Sequence, residues 1–396
     1  MKPPSHTPKI LIVDDEPFNV DYLEQELEDL SYDIISATDG KQALILVEKE
    51  NPDLVLLDIM MPGMDGFEVL QILKAKPATR DVPVIIISAA SDMRSVVKGI
   101  GSGAEDYLPK PFEPALLKAR ISSCLEKKHL RDIEQLFLQS LQKEMAIASE
   151  IQAGFLPSEI PETDYWDLAV YFKAAREVAG DFYDAFLLPD GNLVCFIGDV
   201  CGKGVGAALF MTLFRSLLRV TSTTDSFCDI AGTAAPKPID RLRHAVEFTN
   251  NYVATVHGDA NMFATIFIGI FYPEPGKFAY INCGNEPPFL IKSGSNDVLR
   301  LMPTGPIIGV IEDASYEVKE IEMAKDVVLV AFTDGIPDAL NEKNGSFGTE
   351  PVIRTMTGSP ATPKELCDAV CEDLHKFIGD AEQFDDITLL VIKQKK

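Results

Sequence analysis

Residues 9–15 read KILIVDD, residues 53–58 DLVLLD and residues 82–89 VPVIIISA. Each is a short apolar run rich in β-branched residues that finishes on an acid or a hydroxyl. Between them lie FNVDYLEQELEDL (18–30), KQALILVEKE (41–50) and FEVLQILKA (67–75), whose apolar residues recur three or four apart. DIISA (33–37) adds a strand, and DYLPKPF (106–112) a short strand and turn. Strands that are apolar throughout are covered on both faces, and strands alternating with amphipathic helices form a parallel sheet. The expectation from residue 9 to about 125 is a doubly wound α/β domain with five parallel strands. In such sheets the site lies beyond the carboxyl ends of the strands.

Reading only those ends collects Asp14, Asp15, Asp58, Ser88 and Lys110. Three carboxylates with a few waters suit an octahedral Mg²⁺. A carboxylate beside a cation and a lysine can attack a phosphoryl donor, because both neutralise the charge that develops. One polar strand end would be ordinary, but four together point to a site. The stretches VDDE, LLDIMMPGMDG, IIISA and YLPKPF resemble the receiver domains of bacterial response regulators. The resemblance implies that Asp58 is the phospho-acceptor and that Asp14, Asp15, Asp58 and the Met60 carbonyl hold Mg²⁺. It implies further that Ser88 and Lys110 contact the phosphoryl group, that Ser88 and Tyr107 act as the switch residues, and that a histidine kinase or phosphotransfer protein supplies the phosphate.

At 396 residues the chain has room for two cores. Hydrophobic residues make up 46% and charged residues 24%, as in ordinary globular proteins. A net charge of −25 argues against nucleic acid and against anionic membrane surfaces, both of which need clustered Lys and Arg. The seven cysteines are scattered, with no CxxC pair and no zinc-like Cys/His spacing, which fits reduced thiols. Cys367 and Cys371, one helical turn apart, read as buried thiols, with a soft-metal site as the alternative. The opening MKPPSHTPK lacks an apolar signal core, and no apolar run reaches the roughly 18 residues of a membrane span, so a cytoplasmic protein is expected.

From Leu125 to Leu156 there is no glycine before Gly154 and no proline before Pro157. Leu130, Ile133, Phe137, Leu141, Met145, Ala148, Ile151 and Phe155 recur three or four apart among charged and amide residues. This is one long helix with a narrow apolar stripe. Two readings stay open: a coiled-coil seam shared with a second copy, or a helix packed on its own domain.

Beyond about residue 160 the texture changes to short strands with glycine-rich turns. LAVYFKAA, DFYDAFLL, LVCFIGDV, ATIFIGIFY, KFAYINCG, PPFLIK, DVVLVAFTDG and DITLLVIK read as strands; GAALFMTLFRSLLRV, PIDRLRHAVEFTNNYV and PKELCDAVCEDLHKFI read as helices. Grouped helices and hairpin-linked strands predict a mostly antiparallel α+β sandwich. Residues 221–238 have no periodicity and read as a loop. Acids again mark the strand ends: Asp181, Asp199, Asp334 and the pair Asp385–Asp386. Separated carboxylates without nearby His or Cys call for hard cations such as Mg²⁺ or Mn²⁺, although Asp-Gly and Gly-Asp are also common turn pairs.

REVAGDFYD, GDVCGKGVGAAL, NCGNEPPFL, TDGIPDA and DDITLLV together resemble the metal-dependent (PPM, type-2C) Ser/Thr phosphatases, in the bacterial branch of sporulation and stress sigma-factor regulation. The resemblance implies a β-sandwich flanked by helices and two Mn²⁺ or Mg²⁺ ions. Asp181 and Asp199 would bridge them, and Asp334, Asp385 and the Val200 carbonyl would complete the set, with Asp386 in support. Arg176 stands where relatives place a phosphate-binding arginine; an exposed structural arginine is the other reading. Ala179 replaces a usual glycine, a change expected to tighten the turn. Asn285 replaces a usual histidine and cannot carry a proton.

The domains expected are a receiver (1–124), a helical, coiled-coil linker (125–157) and a phosphatase (158–396). The function implied is a two-component response regulator whose output is hydrolysis of a phosphoserine or phosphothreonine protein. By resemblance the substrate is a phosphorylated anti-sigma-factor antagonist, and the linker joins a homodimer. The alternative is a phosphorylation-gated adaptor whose phosphatase-like domain binds a sigma factor or its regulator without catalysis; retention of all four metal acids favours the enzyme.

Overall fold

Apolar strands need cover on both faces, and the helices supply it. In the computed structural model, β1 (Lys9–Val13), β2 (Asp33–Ala37), β3 (Leu54–Asp58), β4 (Val84–Ala89) and β5 (Asp106–Lys110) form one sheet in the order β2-β1-β3-β4-β5. Every pairing in it is parallel. Successive side chains point to opposite faces. Leu11, Val13, Val55, Leu57 and Ile86 therefore pack with Val47 of α2 (Gly40–Glu50) and Leu70 of α3 (Gly66–Ala75). Ile10, Ile12, Leu54, Leu56 and Ile85 pack with Leu23 and Leu27 of α1 (Pro17–Glu28) on the other face. Asp65 and Glu68 form a capping box that starts α3, with the Asp65 side chain accepting from the Glu68 N–H at 2.8 Å.

The structure describes residues 7–28, 30–89, 93–111, 113–224, 237–274, 276–292, 294–295, 297–358 and 361–395. It divides into two compact units, Met1–Leu141 and Gln142–Lys396. The first unit also contains α4 (Met93–Gly101), which the sequence did not suggest because Gly99 and Gly101 lie in it. A Cβ on Gly99 would sit 2.0 Å from Ile86 Cδ1, so close helix–sheet packing explains that glycine. Helix α5 runs Pro114–Ala153, starting well before residue 125. Its first turns supply Leu117, Ile121 and Cys124 to the α1 face of the sheet, and no proline or glycine separates them from the connector. The connector's own apolar residues stay exposed, Leu130 at 60% and Phe137 at 67%.

The second unit holds two antiparallel sheets. One has the order β13-β10-β9-β8-β7, from β7 (Phe182–Leu187), β8 (Leu193–Val200), β9 (Ala264–Phe271), β10 (Lys277–Cys283) and β13 (Lys319–Glu322). The other has the order β12-β11-β14-β15-β6, from β6 (Trp166–Lys173), β11 (Phe289–Lys292), β12 (Val298–Arg300), β14 (Val327–Phe332) and β15 (Ile387–Gln394). Alternation builds three layers of core. Cys195, Ile197 and Phe267 of one sheet meet Leu329, Ala331 and Leu390 of the other. Phe196 and Ile268 turn outward onto Phe214 of α6 (Val205–Thr223) and Val246 of α7 (Pro238–His257). Val330 and Val391 turn outward onto Val352 of α8 (Glu350–Met356) and Val370 of α9 (Pro363–Ile378).

The edge strands β12 and β13 and the short α8 escaped the sequence reading, since three or four charged and apolar residues carry little period. Residues 221–223, expected in a loop, belong to α6; residues 225–236 of that loop lie outside the described residues. By length and composition α6 is apolar enough to cross a membrane, but Ala207, Met211, Phe214 and Leu218 are in the core.

Candidate functional site

In the first unit the strand ends bring the expected residues together. Asp14 is fully buried; its Oδ1 accepts the Glu16 N–H at 3.0 Å and the Asn19 amide at 2.9 Å. Lys110 Nζ lies 2.9 Å from Asp14 Oδ2 and 3.1 Å from Asp58 Oδ1. Carboxylate oxygens of Asp14, Asp15 and Asp58 all lie within 4.8 Å of one another. Burial pushes the Asp58 carboxyl above its usual range, partly offset by Lys110 and reinforced by Asp14. Burial works against the Lys110 charge, but its hydrogen bond to Asp14 and the field of Asp58 prevail and raise its pKa. Three crowded hard-oxygen ligands, with one ammonium between them, fit a small divalent ion. Ser88 lies at the same end of the sheet, and its buried Oγ has no hydrogen-bond partner among the described residues. A hydroxyl left without a partner costs free energy unless a ligand satisfies it, and a phosphoryl oxygen would. Met60 is exposed at 77%, leaving its backbone close to solvent. Tyr107 is half-buried beneath the Arg120 guanidinium, 5.6 Å from the ring centre.

In the second unit strand pairing decides where the acids go. Phe182 at the start of β7 is opposite Gly198 at the end of β8, and Phe332 at the end of β14 is opposite Leu389 near the start of β15. Asp181, Asp199, Asp334 and Asp385 are therefore gathered at one end of the sandwich. Across the gap between the sheets, the Thr333 and Thr388 hydroxyls donate to Asp181 Oδ2 at 2.7 and 2.5 Å. Oδ2 of that buried carboxylate is thereby held by two hydroxyls, and the same side chain is within hydrogen-bonding reach of Asp199. A Cβ on Gly335 would lie 1.8 Å from the Asp386 carbonyl oxygen, so the Asp334 turn can approach the Asp385–Asp386 turn only as glycine.

Asp386 has a different task from Asp385. Its side chain accepts the Ala175 and Gly180 N–H groups at 2.7 Å each and the Asp181 N–H at 3.4 Å. It anchors the whole loop from 175 to 181, which carries the exposed Arg176. The same loop is held from the other side by Gln152, the penultimate residue of α5. Its amide donates to the Ala179 carbonyl at 2.7 Å and accepts the Ala179 N–H at 2.9 Å. Ala179 is fully buried and has no positive φ, so its backbone suits alanine as well as glycine and the turn is not tightened. Asn285 is also buried, donating its amide to the Glu286 and Phe332 carbonyls at 2.9 and 3.2 Å. It braces the end of β14, two residues before Asp334.

Electrostatics in this site are unfavourable without a cation. Burial, then Asp199, drives the Asp181 carboxyl well above its usual range, against the two threonine hydroxyls. Burial, then Asp334 and Asp385, raises Asp199 to about 7. Asp334 is raised by lost hydration and by Asp385, although its side chain still reaches solvent. An all-oxygen donor set whose charges strain against one another fits hard divalent ions. Among the described residues only the trio Asp14, Asp15 and Asp58 is drawn within 4.8 Å; the second set is more open. Lys203, unremarked in the sequence, rests on Asp385 at 2.8 Å. Cys367 and Cys371 are buried thiols, the Cys371 thiol pushed up to about 12 by burial, and no metal-ligand cluster includes them among the described residues.

The threonines, Gln152 and Lys203 went unnoticed because each is an ordinary residue for its element. A hydroxyl directly flanking an acid in both FTDG and DDIT, and an amide inside an apolar stripe, were the available signals.

Comparison with known proteins follows the same division. A family model described as Stage II sporulation protein E (SpoIIE) matches residues 189–395, and one described as Response regulator receiver domain matches residues 10–122. Protein IcfG of Synechocystis sp. is 38% identical over 261 residues, which is 63% of this chain and 41% of IcfG. Response regulator PleD of Caulobacter vibrioides is 43% identical over 124 residues, 31% of this chain and 27% of PleD. The chain thus spans less than half the length of these curated relatives. The solved SiaA-PP2C domain of Pseudomonas aeruginosa covers 65% of this chain and 98% of its own, with a TM-score of 0.52 and 20% identity, a likeness of fold.

Proposed function

The chain belongs to the SpoIIE family and carries a response regulator receiver domain ahead of the matched region, and from that premise we propose that it is a response regulator whose output is hydrolysis of phosphoserine or phosphothreonine on a protein. The observation that carries the proposal is the four-carboxylate mouth, in which Thr333 and Thr388 hold one oxygen of Asp181 while Asp386 holds the loop before it. Such support is expected of ligands that must keep their geometry while an ion comes and goes.

In this reading Asp14, Asp15, Asp58 and the Met60 carbonyl hold Mg²⁺ in the receiver, and Asp181, Asp199, Asp334, Asp385 and the Val200 carbonyl hold two Mn²⁺ or Mg²⁺ in the phosphatase. When bound, such ions polarise a phosphoryl group and lower the pKa of water. The chain's own residues do the rest. An Asp58 carboxylate oxygen attacks the phosphorus of a phosphohistidine donor; the P–N bond breaks, its electrons stay on the departing imidazole, and an acyl phosphate remains on Asp58. Lys110 sits beside both Asp14 and Asp58, where it neutralises the added charge, and the Ser88 hydroxyl, unpaired among the described residues, donates to a phosphoryl oxygen. In the second site Arg176, exposed on the anchored loop, offers a fork that suits two phosphoryl oxygens of the substrate. Asn285, occupied by two carbonyls, braces the site and moves no proton.

A phosphorylated anti-sigma-factor antagonist is the substrate we assign, on the resemblance to the sporulation and stress branch. The test is Mn²⁺-dependent hydrolysis of a model phosphoester and then of candidate phosphoproteins, with Asp334→Ala and Asp385→Ala as controls. Each substitution should reduce turnover by about 10³-fold or more, because no neighbouring ligand replaces the lost carboxylate. Near-wild-type turnover by either folded variant would remove the metal assignment.

A further inference from the structure

Lys203 lies in the loop between β8 and α6, in the sequence CGKG. Gly202 and Gly204 both have positive φ, +90° and +80°, with no atom within 4 Å of a Cβ built on either. The loop is therefore shaped by backbone conformations that only glycine adopts readily, not by crowding. That shape aims a lysine at the turn before β15. Its ammonium donates to the Phe384 carbonyl at 2.8 Å, stands 4.3 Å from the centre of the Phe384 ring, and pairs with Asp385 Oδ2 at 2.8 Å. Three contacts from one ammonium converge on QFDD, and one of them is on a carboxylate assigned to an ion.

We propose that Lys203 is a tethered cation that occupies the Asp385 carboxylate in the ion-free protein and competes there with the incoming divalent ion. The inference rests on the reading of Asp385 as an ion ligand and adds a residue that reading did not contain. Asp385 Oδ1 already accepts the Asp386 N–H at 3.0 Å, so the ion and the ammonium are both drawn to Oδ2, and an ion that takes Oδ2 displaces the ammonium. The Phe384 carbonyl and ring then remain as its resting place, and the lysine stays near the mouth. Before release, the pair relieves the repulsion that Asp385 exerts on Asp199 and Asp334. The lysine thus keeps an otherwise repulsive set of acids folded while weakening its grip on an ion.

The test is calorimetric titration of the full chain with Mn²⁺, carried out on an Asp15→Asn background so that the receiver contributes less heat. Lys203→Met should bind the Asp385-dependent ion roughly threefold to tenfold more tightly than the parent, by removal of a partly exposed competing charge. Lys203→Arg should bind as the parent does. Thermal unfolding of the ion-free Lys203→Met protein should occur at a lower temperature, and saturating Mn²⁺ should close the difference. Unchanged or weaker binding by Lys203→Met overturns the inference, including the case in which only KM for the phosphorylated substrate rises, which would make Lys203 a phosphoryl contact. Asp385→Ala separates the two claims. If the parent loses its ion with that substitution but Lys203→Met is no tighter, the competition fails and the ion assignment stands. If the parent and Asp385→Ala bind Mn²⁺ alike, both fail.

Discussion

Asp181, Asp199 and Asp386 show how one residue type takes three tasks from its surroundings. Asp386 spends its charge on backbone N–H groups, Asp181 has one oxygen tied by hydroxyls, and Asp199 has few donors to offset its acidic neighbours. This difference has a pH signature. Burial, then Asp334 and Asp385, holds the Asp199 carboxyl up at about 7, above its ordinary value, so folding favours its protonated form. The stabilisation is complete below the ordinary carboxylate pKa and is lost as pH rises through about 7. In chelator, the melting temperature of the second unit should fall by about 5 °C between pH 5 and pH 8. Saturating Mn²⁺ should abolish or reverse that fall, since the ion takes the place of the proton. A flat profile in chelator, followed by differential scanning calorimetry, would count against crowded, ion-free carboxylates.

At the scale of elements, the end of α5 matters more than its length suggests. Gln152 closes a pair of hydrogen bonds on the Ala179 backbone, two residues before Asp181. A shift or rotation of the last turn of α5 cannot keep both bonds, so the helix and the 175–181 loop are mechanically joined inside the second unit. Gln152→Leu removes both bonds and leaves a buried N–H and C=O unpaired, a cost of about 1–3 kcal/mol. We expect a tenfold or greater loss of phosphatase turnover with a weaker Mn²⁺ dependence curve, and retention of the sandwich by circular dichroism. Unaltered kinetics would show that Asp386 alone holds the loop. The sequence offered no reading of this glutamine; only the fold reveals that it has a backbone partner 27 residues along the chain.

For the whole molecule, the proposal is control of the second site by the first. Leu130, Ile133, Phe137 and Leu141 recur along one side of α5 and are exposed in the single chain, at 60%, 46%, 67% and 42%. A second copy of the helix would cover them in the manner of a coiled-coil seam. Replacing Phe137 and Leu141 with glutamine should convert a dimer to a monomer in light scattering. It should also break the response of phosphatase activity to beryllofluoride, a response we expect to be an increase and to be absent in Asp58→Asn. A double variant that stays dimeric and still responds would make α5 a simple tether. Arg120, Lys127 and Arg131 of the same helix pair with Asp106 and Glu105 around Tyr107, which ties the base of α5 to the end of the sheet within the first unit.

The sequence by itself determined both fold classes and the chain positions of the acids, because period and strand ends are local properties. KILIVDD and DLVLLD could only be strands buried on two faces, and FDDITLLV could only begin one. What the tertiary structure decided is which of those groups serve each other. Asp385 and Asp386 are neighbours with the same side chain, yet one faces a lysine and the mouth while the other is bound to the 175–181 loop. Thr333, Thr388, Gln152 and Lys203 acquired their roles from partners 27 to 207 residues away in the chain. Hydrogen bonds and ion pairs act over a few ångströms of space whatever the separation in sequence, so strand register and loop closure, not local pattern, choose the partners.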